Sequence, residues 1–154
     1  MTTTLAFALR PAMPADAEFE HRLYASTRDD LRPLGPEVFD GLVGMQFRAQ
    51  SMSIRLDHPE ADRKIVVVDE DPVGRLIVDE SGEQIEVLDV ALLPEYRSQG
   101  IGTSLLRSVL AEADRMGRAI ALHVEKRSRA VHLYERLGFV ISGDAGLYFE
   151  MCRG

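Results

Sequence analysis

Thirty consecutive residues, KIVVVDEDPVGRLIVDESGEQIEVLDVALL (64–93), hold three runs rich in β-branched side chains, parted only by Asp71-Pro72 and Ser81-Gly82. Runs this close together form an antiparallel meander. The third run has apolar Ile85 and Val87, then Leu88, Val90 and Leu92, so its alternation slips by one residue at 87/88. A β-bulge produces such a slip, and so does burial on both faces.

Helical patterns flank the meander. Before it, Leu5 to Leu9 form a short strand. Asp16 is the expected N-cap of a helix with Phe19 and Leu23 on one face, and Pro36 opens a second helix bearing Phe39, Leu42, Val43 and Phe47. Gly41 and Gly44 weaken that helix. After the meander, a helix from about Gly102 to Met116 carries Leu105, Leu106, Val109, Leu110 and Ala113 as one stripe and stops at Gly117. AIALHV (119–124) is a strand. Ser128 caps a helix with Val131, Tyr134 and Leu137 that Gly138 ends, and FVIS and LYFEM are strands around GDAG (143–146). The order β-α-α-β-β-β-α-β-α-β-β implies an α/β (α+β) fold with a mixed, mostly antiparallel central sheet flanked by helices. No repeat or linker divides the chain, so residues 1–154 are expected to form a single domain.

Twenty-five acids against eighteen bases leave a net charge of −7, which argues against a nucleic-acid partner. Cys152 is the one cysteine, so no intrachain disulfide or cysteine zinc cluster can form. No apolar run could span a bilayer and the N-terminus has no signal-peptide pattern, so the expectation is a cytoplasmic protein without a membrane partner. His21, His58 and His132 lack metal-ligand spacing and are expected at the surface or in caps, with no metal site. Met13, Met45 and Met52 are expected as core filler.

One stretch asks for an explanation. In LLPEYRSQGIGTSLL (92–106), two glycines one residue apart stand where a strand's exit becomes a helix's entrance. A dinucleotide fingerprint would need a third glycine where Leu105 stands, and a P-loop would need a lysine that is absent. A bare turn into a helix still offers unpaired N–H groups and a positive dipole end to an anion, and no carboxylate lies between Ser98 and Arg107. The same glycines could merely let the helix pack on the sheet.

Arg97-Ser98-Gln99-Gly100-Ile101-Gly102 resembles the R/Q-x-x-G-x-G/A signature of the GNAT superfamily of N-acetyltransferases. LDVALLPEY before it resembles that family's fourth strand, and RAVHLYERLGF resembles its last-helix signature A-x-x-L-Y-E-x-L-G-F. The likeness covers about residues 65 to 150. It implies a GNAT-like fold and acetyl-CoA as co-substrate, with the pantetheine arm on the backbone of Val90, Ala91 and Leu92. The pyrophosphate would lie on Ser98, Gln99, Gly100, Ile101, Gly102 and Thr103. Arg97 either adds charge there or pairs with Glu95. Many relatives have an asparagine at the start of the last helix that contacts the cofactor; here the nearest residue is Ser128.

The resemblance also implies chemistry. Tyr134 matches the tyrosine that hydrogen-bonds or protonates the CoA thiolate. Glu86 stands where some relatives carry a catalytic glutamate, and His123 takes the place of a fifth-strand acid used by others. Asp89, amid apolar neighbours, is expected to be buried and paired. The order of candidates for the base is Glu86, His123, Asp89, and a water chain could serve instead. The implied function is acetyl transfer to a primary amine of a small metabolite, or else of a peptide or protein, bound between the first two helices near Arg22, Tyr24, Asp29, Asp30, Gln46 and Arg48. A homodimer is compatible. The alternative is an acyl-CoA-binding sensor or interaction module without turnover, which would need no proton donor at the sulfur.

Overall fold

The computed structural model describes residues 6–154, so Leu5 of the expected first strand lies outside the described residues. Strand β1 (Ala8–Pro11) leads through helices α1 (Ala17–Ser26) and α2 (Pro36–Asp57) into the meander β2 (Asp62–Val68), β3 (Asp71–Asp79) and β4 (Ile85–Leu92). Helix α3 (Ile101–Met116), β5 (Ile120–Glu125), α4 (Ala130–Arg136), β6 (Val140–Ala145) and β7 (Tyr148–Arg153) follow. Among the described residues seven strands form one sheet in the order β1-β2-β3-β4-β5-β7-β6, in which β4 and β5 are the only parallel pair. No helix among the described residues is long and apolar enough to cross a membrane.

The slip at 87/88 is a β-bulge. Val78 pairs with Val87 but Ile77 pairs with Asp89, leaving Leu88 as the extra residue. Its consequence is chemical. Ile85 and Val87 before the bulge, and Val90 and Leu92 after it, all pack with α3 residues Ile101, Leu105 and Leu110. Glu86 and Asp89, three residues apart, therefore share the opposite face, where unbroken alternation would have parted them. That opposite face is covered by α1, whose Phe19 and Leu23 pack on Ile65 of β2, and by α2, which buries Phe39 and Val43.

Local departures from the sequence pattern have physical causes. Asp16 is N-terminal to α1 but its carboxylate does not cap it. It turns back to accept the Met13 N–H at 2.7 Å and both Arg10 guanidinium nitrogens at 2.8 Å. The β2–β3 turn is Asp69-Glu70, both with positive φ, while Asp71 and Pro72 belong to β3. A second bulge beside Val67 lets the sheet take Pro72, which has no N–H to give. Gly143 and Asp144 lie within β6, and the turn falls at Gly146, whose φ is +71°. Met13, Met45 and Met52 are not core filler but exposed; Met45 and Met52 sit on the outer side of α2, whose inner side presents Phe39 and Val43.

Candidate functional site

Strands β4 and β5 pair only through Ile85–Val87 and Ile120–Leu122, then diverge. Residues 89–92 remain paired to β3, and among the described residues no strand pairs with their other edge. This free edge opens into a cleft of about 660 Å³ lined by Val90, Ala91 and Leu92, by Ser98, Gly100, Gly102 and Thr103, and by the side of α4.

Two residues of the turn hold left-handed conformations, Ser98 at φ +61° and Gly100 at φ +87°. Glycine suits position 100 for that reason. Gly102 is different: its φ is ordinary, and a Cβ there would meet only Leu92 Cδ1 at 3.8 Å. No neighbouring atom requires Gly102 to be bare, and Gly102 lines the cleft. Ile101 between them is fully buried and anchors the turn in the core. The Gln99 amide donates to the Glu95 carbonyl at 2.6 Å, outside the cleft. Arg97 does not pair with Glu95. Its Nε donates to the Leu92 carbonyl at 3.0 Å and its Nη2 to the Ser26 carbonyl at 3.3 Å, tying the turn to α1 while its side chain lines the cleft. Ser128 Oγ accepts the Ala130 N–H at 3.1 Å, so it caps α4, and it is not in the cleft wall. The residues of α4 that do line the cleft are Arg129, Ala130, Leu133 and Arg136, of which the sequence motifs single out none as a contact.

The other face of β4 is charged and partly buried. Arg75 of β3, 3% exposed, lies between α1, α2 and β4. It donates to Asp89 at 2.7 Å, Gln50 at 2.9 Å and Glu20 at 3.3 Å, and Glu20 also pairs with Arg63 at 3.0 Å. Asp89 is paired as its apolar sequence context suggests. The partner was legible in the same way, since Arg75 interrupts the apolar run VGRLIV. Tyr134 is half-buried against Phe139, ring centroids 5.7 Å apart. Burial first, and then the Asp89 charge, push its phenol above the usual tyrosine range, so the hydroxyl keeps its proton at neutral pH.

Glu86 neighbours an imidazole. His58 Nδ1 lies 2.7 Å from Asp79 Oδ2 and 3.4 Å from Glu86 Oε2, and one ligand atom from each residue falls within 4.8 Å of the others. His58 does cap α2, its N–H bonding the Ile54 carbonyl at 2.8 Å, but its ring turns inward to this cluster. Asp79 is satisfied by donors of this chain: Ser81 N–H and Oγ on one oxygen and His58 on the other. His123 is exposed, 3.7 Å from Glu150 across the β5–β7 pair. Between α1 and α2, Tyr24 and Arg28 both reach Gln46, at 3.4 and 2.5 Å, and Arg28 pairs with Asp30. Asp29 pairs with Arg32, Arg22 lies over Phe19, and Arg48 lines a separate groove beside Met13.

Residues 61–141, just over half of the chain, match the family model described as acetyltransferase (GNAT) domain. Among solved structures, the chain resembles the PaiA N-acetyltransferase of Thermoplasma acidophilum in complex with coenzyme A. Identity is 17%, 97% of this chain and 99% of that one are covered, and the TM-score is 0.74. It also resembles a GNAT family acetyltransferase from Elizabethkingia anophelis with acetyl-CoA bound, at 14% identity, 96% and 97% coverage and TM-score 0.63. A spermidine N-acetyltransferase SpeG chimera from Vibrio cholerae and hSSAT matches at 22% identity, 96% and 94% coverage and TM-score 0.63. Among curated protein sequences, none matches the chain.

Proposed function

The chain belongs to the GNAT acetyltransferase family, and on that premise we propose that it transfers the acetyl group of acetyl-CoA to a primary amine of a small metabolite. The observation that carries the reading is the free edge of β4, which opens into a cleft roofed by the Ser98–Thr103 turn and lined by no carboxylate. An extended pantetheine arm can satisfy the backbone groups of Val90, Ala91 and Leu92 as a missing strand would. The N–H groups of the turn then face the pyrophosphate, with Gly102 giving its oxygens room. Bound CoA or acetyl-CoA in two fold neighbours supports this co-substrate.

An alkyl ammonium is about one part in 2,500 neutral at pH 7, so it must lose a proton before it attacks. Glu86 accepts that proton through water, and the face it shares with Asp89 is negative enough to draw an ammonium in. The amine nitrogen bonds to the acetyl carbon, and the carbonyl oxygen gains charge against a β4 backbone N–H near Leu92. As the C–S bond breaks, the thiolate takes the Tyr134 proton; the amide nitrogen gives up its surplus proton to water, and the phenol is restored from solvent. Asp89, held by Arg75, acts as a fixed charge beside Tyr134 rather than as the base. A spermidine N-acetyltransferase among the fold neighbours supports an amine acceptor of metabolite size.

The test is thiol release from acetyl-CoA across a panel of small amines, with peptides bearing free N-termini or lysines as the second arm. Release above background hydrolysis with an amine is expected, together with a rise in melting temperature on adding acetyl-CoA or CoA. Binding without release across both arms would replace the enzyme with a CoA-binding module, and a larger shift with NAD would overturn the co-substrate.

A further inference from the structure

We infer that Arg129 and Arg136 form a second anion subsite that grips the 3′-phosphate of the CoA ribose, apart from the turn that holds the pyrophosphate. This rests on the acetyl-CoA reading above. CoA carries two separate anionic groups, and the 3′-phosphate is a monoester with about −1.5 to −2 charges at pH 7. The Ser98–Thr103 turn offers backbone N–H groups for one of them. Arg97, the cleft arginine nearest that turn in sequence, is already spent on the Leu92 and Ser26 carbonyls.

Arg129 and Arg136 line the same cleft from α4. Seven residues apart, they lie two helical turns and about 10 Å from each other on one face, with Leu133 between them. Guanidinium groups at that spacing can converge on one phosphate, each offering paired N–H donors. Neither side chain has a hydrogen-bond or ion-pair partner among the described residues. Other arginines of the chain are neutralised by carboxylates: Arg10 by Asp16, Arg28 by Asp30, Arg75 by Asp89 and Arg153 by Asp114. The one acid on α4, Glu135, faces the exposed His132 at 3.7 Å. No acidic residue lines the cleft. Two like charges held near each other without a counter-ion repel, and a dianion is the guest that relieves them.

The experiment compares CoA with 3′-dephospho-CoA by calorimetry on the full chain. A charge-assisted contact of this kind is worth about a tenfold to hundredfold change in affinity. The native protein is expected to prefer CoA by that margin. In Arg129→Gln/Arg136→Gln the preference should collapse to near unity, with affinity for 3′-dephospho-CoA unchanged. Both side chains are exposed, so the replacement leaves packing intact, and Arg129→Lys/Arg136→Lys should restore part of the preference. Arg127→Gln, an exposed arginine outside the cleft wall, controls for general charge and should leave the ratio as it was. The subsite is overturned if the native protein binds both ligands equally, if the double variant weakens both by the same factor, or if Arg127→Gln has the same effect. Failure of the native protein to bind either ligand would instead overturn the acetyl-CoA reading.

Discussion

The two faces of one sheet have been put to different uses. Under α3, Leu105, Leu110, Ile85, Val87, Ile120 and Leu122 are buried in a continuous apolar core. Under α1 and α2 the contiguous apolar cluster is smaller, Phe19, Leu23 and Ile65 with a few partly buried neighbours, and Phe39, Val43 and Ile77 are buried beside it. The same face carries Glu20, Arg75, Asp79, Asp89 and Glu86, with Glu20 Oε1 shared by Arg63 and Arg75 and Asp79 Oδ1 accepting both Ser81 donors. Burying apolar area gains about 25 cal/mol per Å², whereas a buried ion pair roughly cancels its own desolvation. The first face therefore carries the stability, and the second keeps charges in fixed places at little net gain.

Tyr134 joins the two faces, packing with the apolar core while feeling Asp89, and the largest effect is expected there. Tyr134→Phe keeps the ring and removes the proton, so single-turnover acetyl transfer should fall by about 10²–10⁴-fold with stability and acetyl-CoA affinity nearly unchanged. A native single-turnover rate would make Tyr134 a core residue only. Arg75→Met should cost about 3–5 kcal/mol, because it leaves Asp89 as an unpaired charge in a partly dry site and Glu20 with Arg63 alone. It should also slow transfer even where the protein remains folded. Leu105→Ala, on the other face, should cost about 2–5 kcal/mol with transfer by the folded fraction unaltered. Urea unfolding beside single-turnover rates measures both. If Leu105→Ala slows the chemistry as Arg75→Met does, the division between the faces is wrong.

Much of this was legible before any coordinates. Element order, the slip at 87/88 and the glycine turn at 100–102 follow from local rules, namely a period of two, a break in it, and glycine at a strand-to-helix turn, although the slip alone did not separate a bulge from burial on both faces. What stayed hidden depends on which element lies opposite which. Arg129 and Arg136 look like any solvent-facing pair until the divergence of β4 from β5 puts a cleft beside α4. His58 carries no local sign that its ring will meet Asp79, 21 residues on, and Glu86. Asp16 looked like an N-cap because cap preference is local, but Arg10 offered a two-pronged partner across the turn. Methionines at 45 and 52 resembled filler because spacing alone does not say which side of a helix meets the core.

The faces should differ also in how their stability responds to acid, and Asp79 gives the smallest and sharpest test. Its buried carboxylate accepts Ser81 Oγ at 2.6 Å and Ser81 N–H at 2.9 Å, and His58 Nδ1 at 2.7 Å. These donors, Ser81 first, hold its pKa below the ordinary aspartate value. A folded pKa below the unfolded one means that stability is fully present above the unfolded value, about 3.9, and drains away as pH falls through the folded one. Ser81→Ala removes the hydroxyl donor but leaves the backbone N–H. It should cost about 1 kcal/mol at pH 7, and the deficit should be the same at pH 5.5. Below about pH 4 it should shrink, because a protonated Asp79 gains less from the hydroxyl in either protein. The Leu105→Ala deficit involves no titrating group and should change little over the same range. Urea titrations of the three proteins at pH 7, 5.5 and 3 separate the cases. A Ser81→Ala deficit as large at pH 3 as at pH 7 would mean that the hydroxyl contributes packing or turn geometry, and that the Asp79 charge plays no part in holding this end of the face.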